Sequence, residues 1–390
     1  MCVVARMTDV LIVGAGPAGS FLAYLLACRG VSVTIIDKAA FPRDKVCGGG
    51  LSNKTVELLP FDLAPVVQRR LIGAFLTYRN RDTVVKDLGD RGGVAVLRSE
   101  FDHWLLRNAA DAGATIREAT AFERVETRAD GIAVTTSRGV LKARYLVGAD
   151  GVFSQVRHAI FGRGVVTYAP AVEALVSVTP EHHERLGNRV LFDFGGMPHG
   201  YGWIFPKEDH LNVGVYSIYP TRSIKTALAR FMSRYEILQT PLRVRFQGSA
   251  IPVTNRRQRI ARENVLLVGD AAGFAESFLG EGIYFALQSA TIAADALFST
   301  FDGSPSRAYR RLIAARLQPD LTYAALSARL FYPFQRAAFL GMVRDERVNG
   351  YFAEMIAGGS RPRDCFYKAL LTWPCCLWSR RLAPLAAPLL

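Results

Sequence analysis

The sequence predicts an α/β fold in which a doubly wound, mostly parallel sheet is interrupted by an antiparallel sheet and followed by a helical C-terminal region. Three observations predict it. First, the apolar run 9-DVLIVG-14, the helix-spaced segment 17-PAGSFLAYLLACRG-30 and a second apolar run, 31-VSVTIID-37, follow one another directly. Two buried strands joined by a helix imply parallel strands covered on both faces. Second, strand-like segments rich in β-branched and aromatic residues recur over 172–178, 189–195, 201–206 and 211–219, with few helical segments between them before Ser223. Third, 264-NVLLVGD-270 returns to the N-terminal type of strand, so the first domain is discontinuous. The expected boundaries are 1–75, 95–165 and 255–300 for the dinucleotide-binding domain, 76–94 and 166–254 for the inserted substrate domain, and 301–390 for the helical region.

The remaining elements follow in order. Residues 99–113 carry helical spacing in FDHWLLRNAADAG, and 114–147 break into short strands with turn signals at Ala129-Asp130-Gly131 and Arg138-Gly139, which predicts a small meander. After the 264–270 strand comes a glycine-rich loop, then the helical run 283-IYFALQSATIAADALF-298. From 305 onward the pattern is helical and aromatic, punctuated by 361-RPR-363 and ending in an oily, basic tail from Phe366.

Half of the residues are hydrophobic, yet no run approaches the roughly 18 uncharged apolar residues of a spanning helix. The N-terminus runs into a strand without a cleavable apolar region, so a cytoplasmic protein is expected. The net charge of +14 favours an anionic partner: nucleic acid, an acidic lipid surface or a phosphorylated substrate. The basic residues are scattered, with no recognition helix despite 256-RRQR-259, which argues against nucleic acid. With the Trp-containing tail, the basic surplus predicts peripheral membrane contact, in short pieces because Pro374, Pro384 and Pro388 interrupt any long amphipathic helix. Oligomeric state is not legible. The six cysteines show no zinc-like spacing, and adjacent Cys375 and Cys376 are poorly placed to bridge, so reduced thiols are expected. The six histidines, His182 and His183 among them, form no ligand set, and no metal is expected.

Gly14-Ala15-Gly16-Pro17-Ala18-Gly19 sits between a buried strand and a helix. There, glycines permit a tight turn, close approach to a pyrophosphate and helix–sheet packing. Asp37 ends the next strand, placed for a ribose hydroxyl, and its charge disfavours a 2′-phosphate, so FAD or NAD fits better than NADP. The domain is thus Rossmann-like. Two further loops favour FAD: 148-GADGVFSQVR-157 and 268-VGDAAG-273, each an apolar strand ending in a Gly/Asp turn. Together with Arg98 before Phe101-Asp102, they resemble the p-hydroxybenzoate hydroxylase-like flavoproteins. The resemblance implies that Asp270 holds the ribityl chain, that backbone around Gly282 and Ile283 approaches the flavin ring, and that Arg98 lies near the pyrophosphate. Lys38, Cys47, Gly48, Gly50, Phe122 and Asp150 complete the expected FAD contacts, with Gly14, Gly16, Pro17, Gly19 and Asp37. No second G-x-G-x-x-G follows a strand, so NADPH, if it is the electron donor, visits transiently; reduced ferredoxin is the other candidate.

The segment 42-PRDKVCGGGLS-52 is similar to the P-R-x-K-x-C-G-G signature of the geranylgeranyl reductase family, and 201-YGWIFPK-207 to that family's Y-x-W-x-F-P-K. The loop 269-GDAAGFAESFLGEGIYFAL-287 also fits, and the resemblance covers roughly residues 9–300. It implies an FAD-dependent reductase that saturates carbon–carbon double bonds of a geranylgeranyl or other polyprenyl group, carried on a lipid or a prenyl diphosphate. An isolated trisubstituted alkene has no carbonyl to absorb charge, so a proton must reach one carbon as hydride reaches the other. Tyr201 and Trp203 are expected as pocket walls whose faces stabilise positive charge, with Phe205 and Lys207 beside them. The alternative is that Trp203 and Phe205 are sheet core and Lys207 a surface charge. Cys47 is the candidate for the proton-side or flavin-facing group; a thiol of pKa near 8.5 is a poor acid toward an alkene, so relay, positioning or plain packing stay open. Arg43 and Lys45 pair with phosphate or are solvated. Two rivals stand beside this reading: a flavin monooxygenase or halogenase, although the W-x-W-x-I-P motif is absent, and a non-catalytic lipid-binding protein that retains FAD.

Overall fold

The structure, a computed structural model, describes residues 7–128, 131–162, 166–219, 221, 224–253, 259–299 and 304–376. The tail beyond Cys376, with Pro384 and Pro388, residues 256–258 of the basic segment and the tip of the Ala129-Asp130 turn lie outside them.

The strand Thr8–Val13 is the axis of the first sheet. It pairs in parallel with Val33–Ile36 on one side and Gly139–Gly148 on the other. Thr115–Arg117 and Val265–Leu267 extend the parallel set outward, and Ala261–Arg262 closes one edge antiparallel. Val10, Leu11 and Ile12 are wholly buried, as strands covered on both faces require. The helix Pro17–Ala27 packs against Ile283–Ser299, so two segments far apart in sequence form one layer. The meander is present as Phe122–Arg128, Gly131–Thr136 and Gly139–Gly148. Its last strand runs on into the parallel sheet, because Ala143–Gly148 carries the alternate apolar residues that the core takes up.

The second sheet runs, from edge to edge, Arg243–Val253, Thr167–Ser177, Leu211–Ser217, Gly200–Pro206, Arg189–Asp193, Gly73–Tyr78 and Asp82–Asp87. All neighbours are antiparallel except Arg189–Asp193 with Gly73–Tyr78, which are parallel. The inserted sheet therefore starts at Gly73. Val94–Val96 leaves it for a small third sheet with Gly50–Leu51 and Val67–Arg70, which carries the Cys-Gly-Gly loop between the two large sheets.

The C-terminal region comprises the helices Pro305–Arg316, Gln318–Phe331, Gln335–Arg344, Glu346–Ala357 and Pro362–Cys376. Ala324, Ala328, Tyr332 and Phe339 join the core of the second sheet beside Phe192, Phe194 and Tyr201. No helix among the described residues is long and apolar enough to cross a membrane.

Candidate active site

A cleft of about 590 Å³ runs from the first glycine turn to the face of the second sheet. At its near end Gly14 has φ +104°, and a Cβ there would lie 2.4 Å from the Ala149 carbonyl oxygen. Gly19 faces away from the cleft and lets the helix settle on the strand, since a Cβ would meet the Gly14 carbonyl oxygen at 1.9 Å. The helix Pro17–Ala27 starts at Gly16 without a side-chain cap, which leaves its first N–H groups directed at the cleft as an anion site. Asp37 accepts the Ala15 and Ala39 N–H groups, both at 2.8 Å, and retains lone pairs for a ribose. Lys38 and Phe122 line the same end. Arg43 stands next to Gly16, ion-paired to Asp102 at 3.2 Å, with its Nη1 buried and without a partner. Arg98, expected near the pyrophosphate, has its guanidinium clamped bidentate on Asp102 at 2.7 and 2.8 Å and faces Cys47. Arg43 is therefore the cation beside the helix start.

The two Gly/Asp loops meet in the middle of the cleft. Asp150 accepts the Gln155 and Val156 N–H groups and the Ser154 hydroxyl, and so caps the following helix as well as lining the cleft. Arg157, buried, donates to the carbonyls of Ala271 (2.9 Å) and Val152 (2.8 Å), and so ties one loop to the other. The Asp270 carboxylate accepts no hydrogen bond from the described residues; it faces the cleft, and burial raises its pKa. Gly282 and Ile283 line the cleft beside it, and a Cβ on Gly282 would stand 3.4 Å from the Asp270 carboxylate. The intervening loop is held from both sides. Glu276, its pKa pushed up to about 7 by burial, accepts the N–H groups of Phe278, Leu279 and Glu281. The hydroxyls of Tyr216, Tyr332 and Tyr201 donate to the carbonyls of Ser277, Phe278 and Leu279 in turn. Tyr201 thus has its ring on the cleft, but its hydroxyl proton is committed to Leu279 and it is not a proton donor to the cleft.

Opposite lies the Cys47-Gly48-Gly49-Gly50 loop, all four residues lining the cleft. A Cβ on Gly50 would stand 2.4 Å from the Phe205 ring, and one on Gly49, whose φ is +65°, 2.2 Å from the Val96 carbonyl oxygen. Trp203 and Phe205 lie under this loop on the cleft face, the indole donating to Asn212 Oδ1 at 2.7 Å. Lys207 departs from both expectations, substrate contact and surface charge. It is 1% exposed and donates to the carbonyls of Gly48 (2.7 Å), Val96 (2.9 Å) and Gly49 (3.4 Å), beneath the loop and off the main cleft. It braces the loop, and burial brings its pKa down to about 8.

One group at this end was not singled out from the sequence. Glu173 lies on the cleft wall, 3% exposed, and its Oε1 accepts the Cys47 N–H at 3.2 Å. Trp203, Gly214, Glu173 and Gln247 form one cross-strand row. Gly214 makes room for the indole, since a Cβ there would lie 2.1 Å from the ring. The signal was available as one carboxylate inside the apolar strand 171-AVEALVSV-178.

Comparison with known proteins adds the following. The FAD binding domain family matches residues 7–181, and the tryptophan halogenase family matches residues 95–321. Geranylgeranyl diphosphate reductase of Rhodobacter capsulatus is 31% identical over 307 residues, 74% of this chain and 74% of its own length. Digeranylgeranylglycerophospholipid reductase 2 of Methanosphaera stadtmanae is 32% identical over 310 residues, 73% of this chain and 76% of its own. The chain belongs to the FAD-dependent geranylgeranyl reductase family. A solved geranylgeranyl bacteriochlorophyll reductase-like protein from Thermoplasma acidophilum has the same fold, with a TM-score of 0.77, 20% identity, and coverage of 96% of this chain and 98% of its own. The halogenase match spans the part of the fold that contains Asp150, Asp270 and the second sheet, which flavoproteins of different chemistry share.

As a member of this reductase family the chain is a flavoprotein oxidoreductase, and its cleft fits FAD. The uncapped helix start and the unpartnered Arg43 Nη1 suit a pyrophosphate, Asp37 a ribose, and the free Asp270 carboxylate a ribityl hydroxyl. Gly14, Gly49 and Gly50 let these cleft-lining turns pack against Ala149, Val96 and Phe205 at distances no Cβ would allow. Beyond them the wall is apolar and aromatic: Leu71, Val190, Phe192, Tyr201, Trp203 and Ile251.

Proposed function

We propose that the protein saturates carbon–carbon double bonds of a geranylgeranyl or other polyprenyl chain. The observation that carries this reading is the continuity of the FAD-suited cleft with the largely apolar, aromatic wall on the second sheet formed by Phe192, Tyr201, Trp203 and Phe205. Burial of an apolar chain there gains about 25 cal/mol per Å² removed from water. The names of the two relatives point to the same substrate class. Bound FAD, once reduced, supplies the two electrons as a hydride equivalent. The chain's own residues do the rest: Trp203, Phe205 and Tyr201 hold the alkene and stabilise positive charge from their ring faces, the Cys47 loop closes the flavin side, and the dry wall excludes water. The electron donor is NADPH or reduced ferredoxin, visiting from outside the chain. The basic surplus and the apolar C-terminal helices bring the protein to an anionic membrane surface, where a prenyl lipid is found.

The test is anaerobic. Protein reduced by light and incubated with geranylgeranyl diphosphate or a digeranylgeranyl glycerolipid should yield products heavier by two hydrogens per saturated bond. The halogenase match gives a second reading, oxygen-dependent hydroxylation or halogenation. A product that forms only with oxygen, and no saturated prenyl chain without it, would establish that reading instead.

A further inference from the structure

Behind the cleft wall lies a second recess of about 60 Å³. Asp44, Lys45, Cys47, Arg98 and Glu173 line both spaces, and the recess continues past Lys207, Asn212 and His210 to Gln247. Asp44 is exposed, so this side reaches solvent. A water needs roughly 10–15 Å³ and two to four polar partners; the recess has room and partners for more than one. Of the two carboxylates common to both walls, Asp44 is exposed and Glu173 is buried, 3% exposed. One of the Glu173 oxygens accepts the Cys47 N–H, and the other, Oε2, is buried without a hydrogen-bond partner.

We propose that Glu173 is the proton donor to the alkene and is recharged through the polar recess behind it. This assignment rests on the alkene-reductase reading. In the step, the Glu173 O–H bond breaks as the π pair of the alkene forms a C–H bond at the less substituted carbon. The hydride equivalent of the reduced flavin closes the second C–H bond at the other carbon. The Glu173 carboxylate then takes a proton from water in the recess. Two electrons and one proton would come together as the hydride equivalent of reduced FAD, the second proton from solvent by way of Glu173, and no further reactant is needed.

The surroundings suit the role. Burial raises the pKa of Glu173, while the charges of Lys207 and Arg98, the Asn212 amide and the Cys47 N–H act in the opposite direction. Asp44, Lys45 and His210 are the other titratable groups on the recess. A carboxylic acid that is costly to ionise, yet faces donors ready to receive its anion, is poised to give up a proton. Cys47, by contrast, accepts the Gly49 N–H at 3.4 Å and faces the Arg98 guanidinium, so its neighbours are donors. Trp203 and Tyr201 have committed their own protons to Asn212 and Leu279.

The experiment uses the full chain and the variants Glu173→Gln and Glu173→Asp. Infrared difference spectra of FAD-free protein across a pH series should show a carboxylic-acid band that titrates above the ordinary glutamate range and is missing from Glu173→Gln. With FAD restored, Glu173→Gln should bind and photoreduce the flavin as the parent does. Its anaerobic reoxidation by prenyl substrate should be about 100-fold slower and lose its pH dependence, with partial recovery in Glu173→Asp. Parent-rate turnover by Glu173→Gln, or no titrating band, overturns the assignment. A parent protein that shows the band yet reduces no prenyl chain sinks the reductase reading, and this role with it.

Discussion

At the scale of residues, Cys47 and the dinucleotide contacts are separable, because Gly14, Gly16 and Asp37 lie at the other end of the cleft. Cys47→Ala should therefore keep the parent FAD content while slowing anaerobic reoxidation by a geranylgeranyl substrate about tenfold or more. Cys28→Ala, at the exposed end of the first helix, serves as the thiol control. Equal rates in Cys47→Ala and parent would leave Cys47 as packing. Lys207 gives a pH signature. Its pKa falls from 10.5 unfolded to about 8 folded, so the unfolded chain binds more protons between those values and stability rises with pH across that window. Lys207→Met should flatten this rise in denaturant titrations and, by freeing three carbonyls, cost about 2–4 kcal/mol. The roles of Lys207 and Glu173 were the least legible in the sequence. A lysine at a strand end reads as solvated, and nothing local tells that three carbonyls from two distant segments will converge on it.

At the scale of elements, the loop from Glu276 to Glu281 shows how a segment without regular structure is fixed. Its N–H groups find one carboxylate, and its carbonyls find tyrosines from three other segments. Tyr332→Phe removes one such bond and leaves the Phe278 carbonyl buried, which should cost about 1–3 kcal/mol. Thermal melting with and without FAD measures it, and FAD should recover part of the loss; an unchanged melting temperature would refute the clamp. The βαβ unit was readable because its apolar runs are local. The hairpin Gly73–Tyr78 to Asp82–Asp87 was not: it turns through Arg79 and Asn80, both at positive φ, without the glycine that marks such turns. Its parallel neighbour Arg189–Asp193 is more than a hundred residues away, a pairing no local pattern encodes.

At the scale of the whole molecule, the outer face of the C-terminal helices exposes apolar side chains among basic ones such as Arg329, Arg336, Arg363 and Lys368. Leu326, Leu330 and Phe334 recur at intervals of four, and Leu370 and Leu371 project from the last helix, Leu371 77% exposed. With a net charge of +14, this face should bind anionic vesicles and release them as salt screens the charges. Sedimentation with phosphatidylglycerol vesicles checks it: Leu370→Asp with Leu371→Asp should lower the bound fraction several-fold, and unchanged binding would remove this face from the account. The tyrosine clamp has a last consequence, for how the protein comes apart. Tyr201 and Tyr216 belong to the second sheet, Tyr332 to the helical region, and the loop they grip leads straight into the helix beside Asp270. Three lobes thus share one mechanical joint, and none can swing away without breaking a tyrosine hydrogen bond to this loop. For the proposed polyprenyl substrate, this coupling favours end-on entry along the cleft over a swinging apart of the lobes. Amide exchange would register the same coupling, since saturating the protein with FAD should slow exchange across Gln318–Phe331, a helix that forms no part of the cleft.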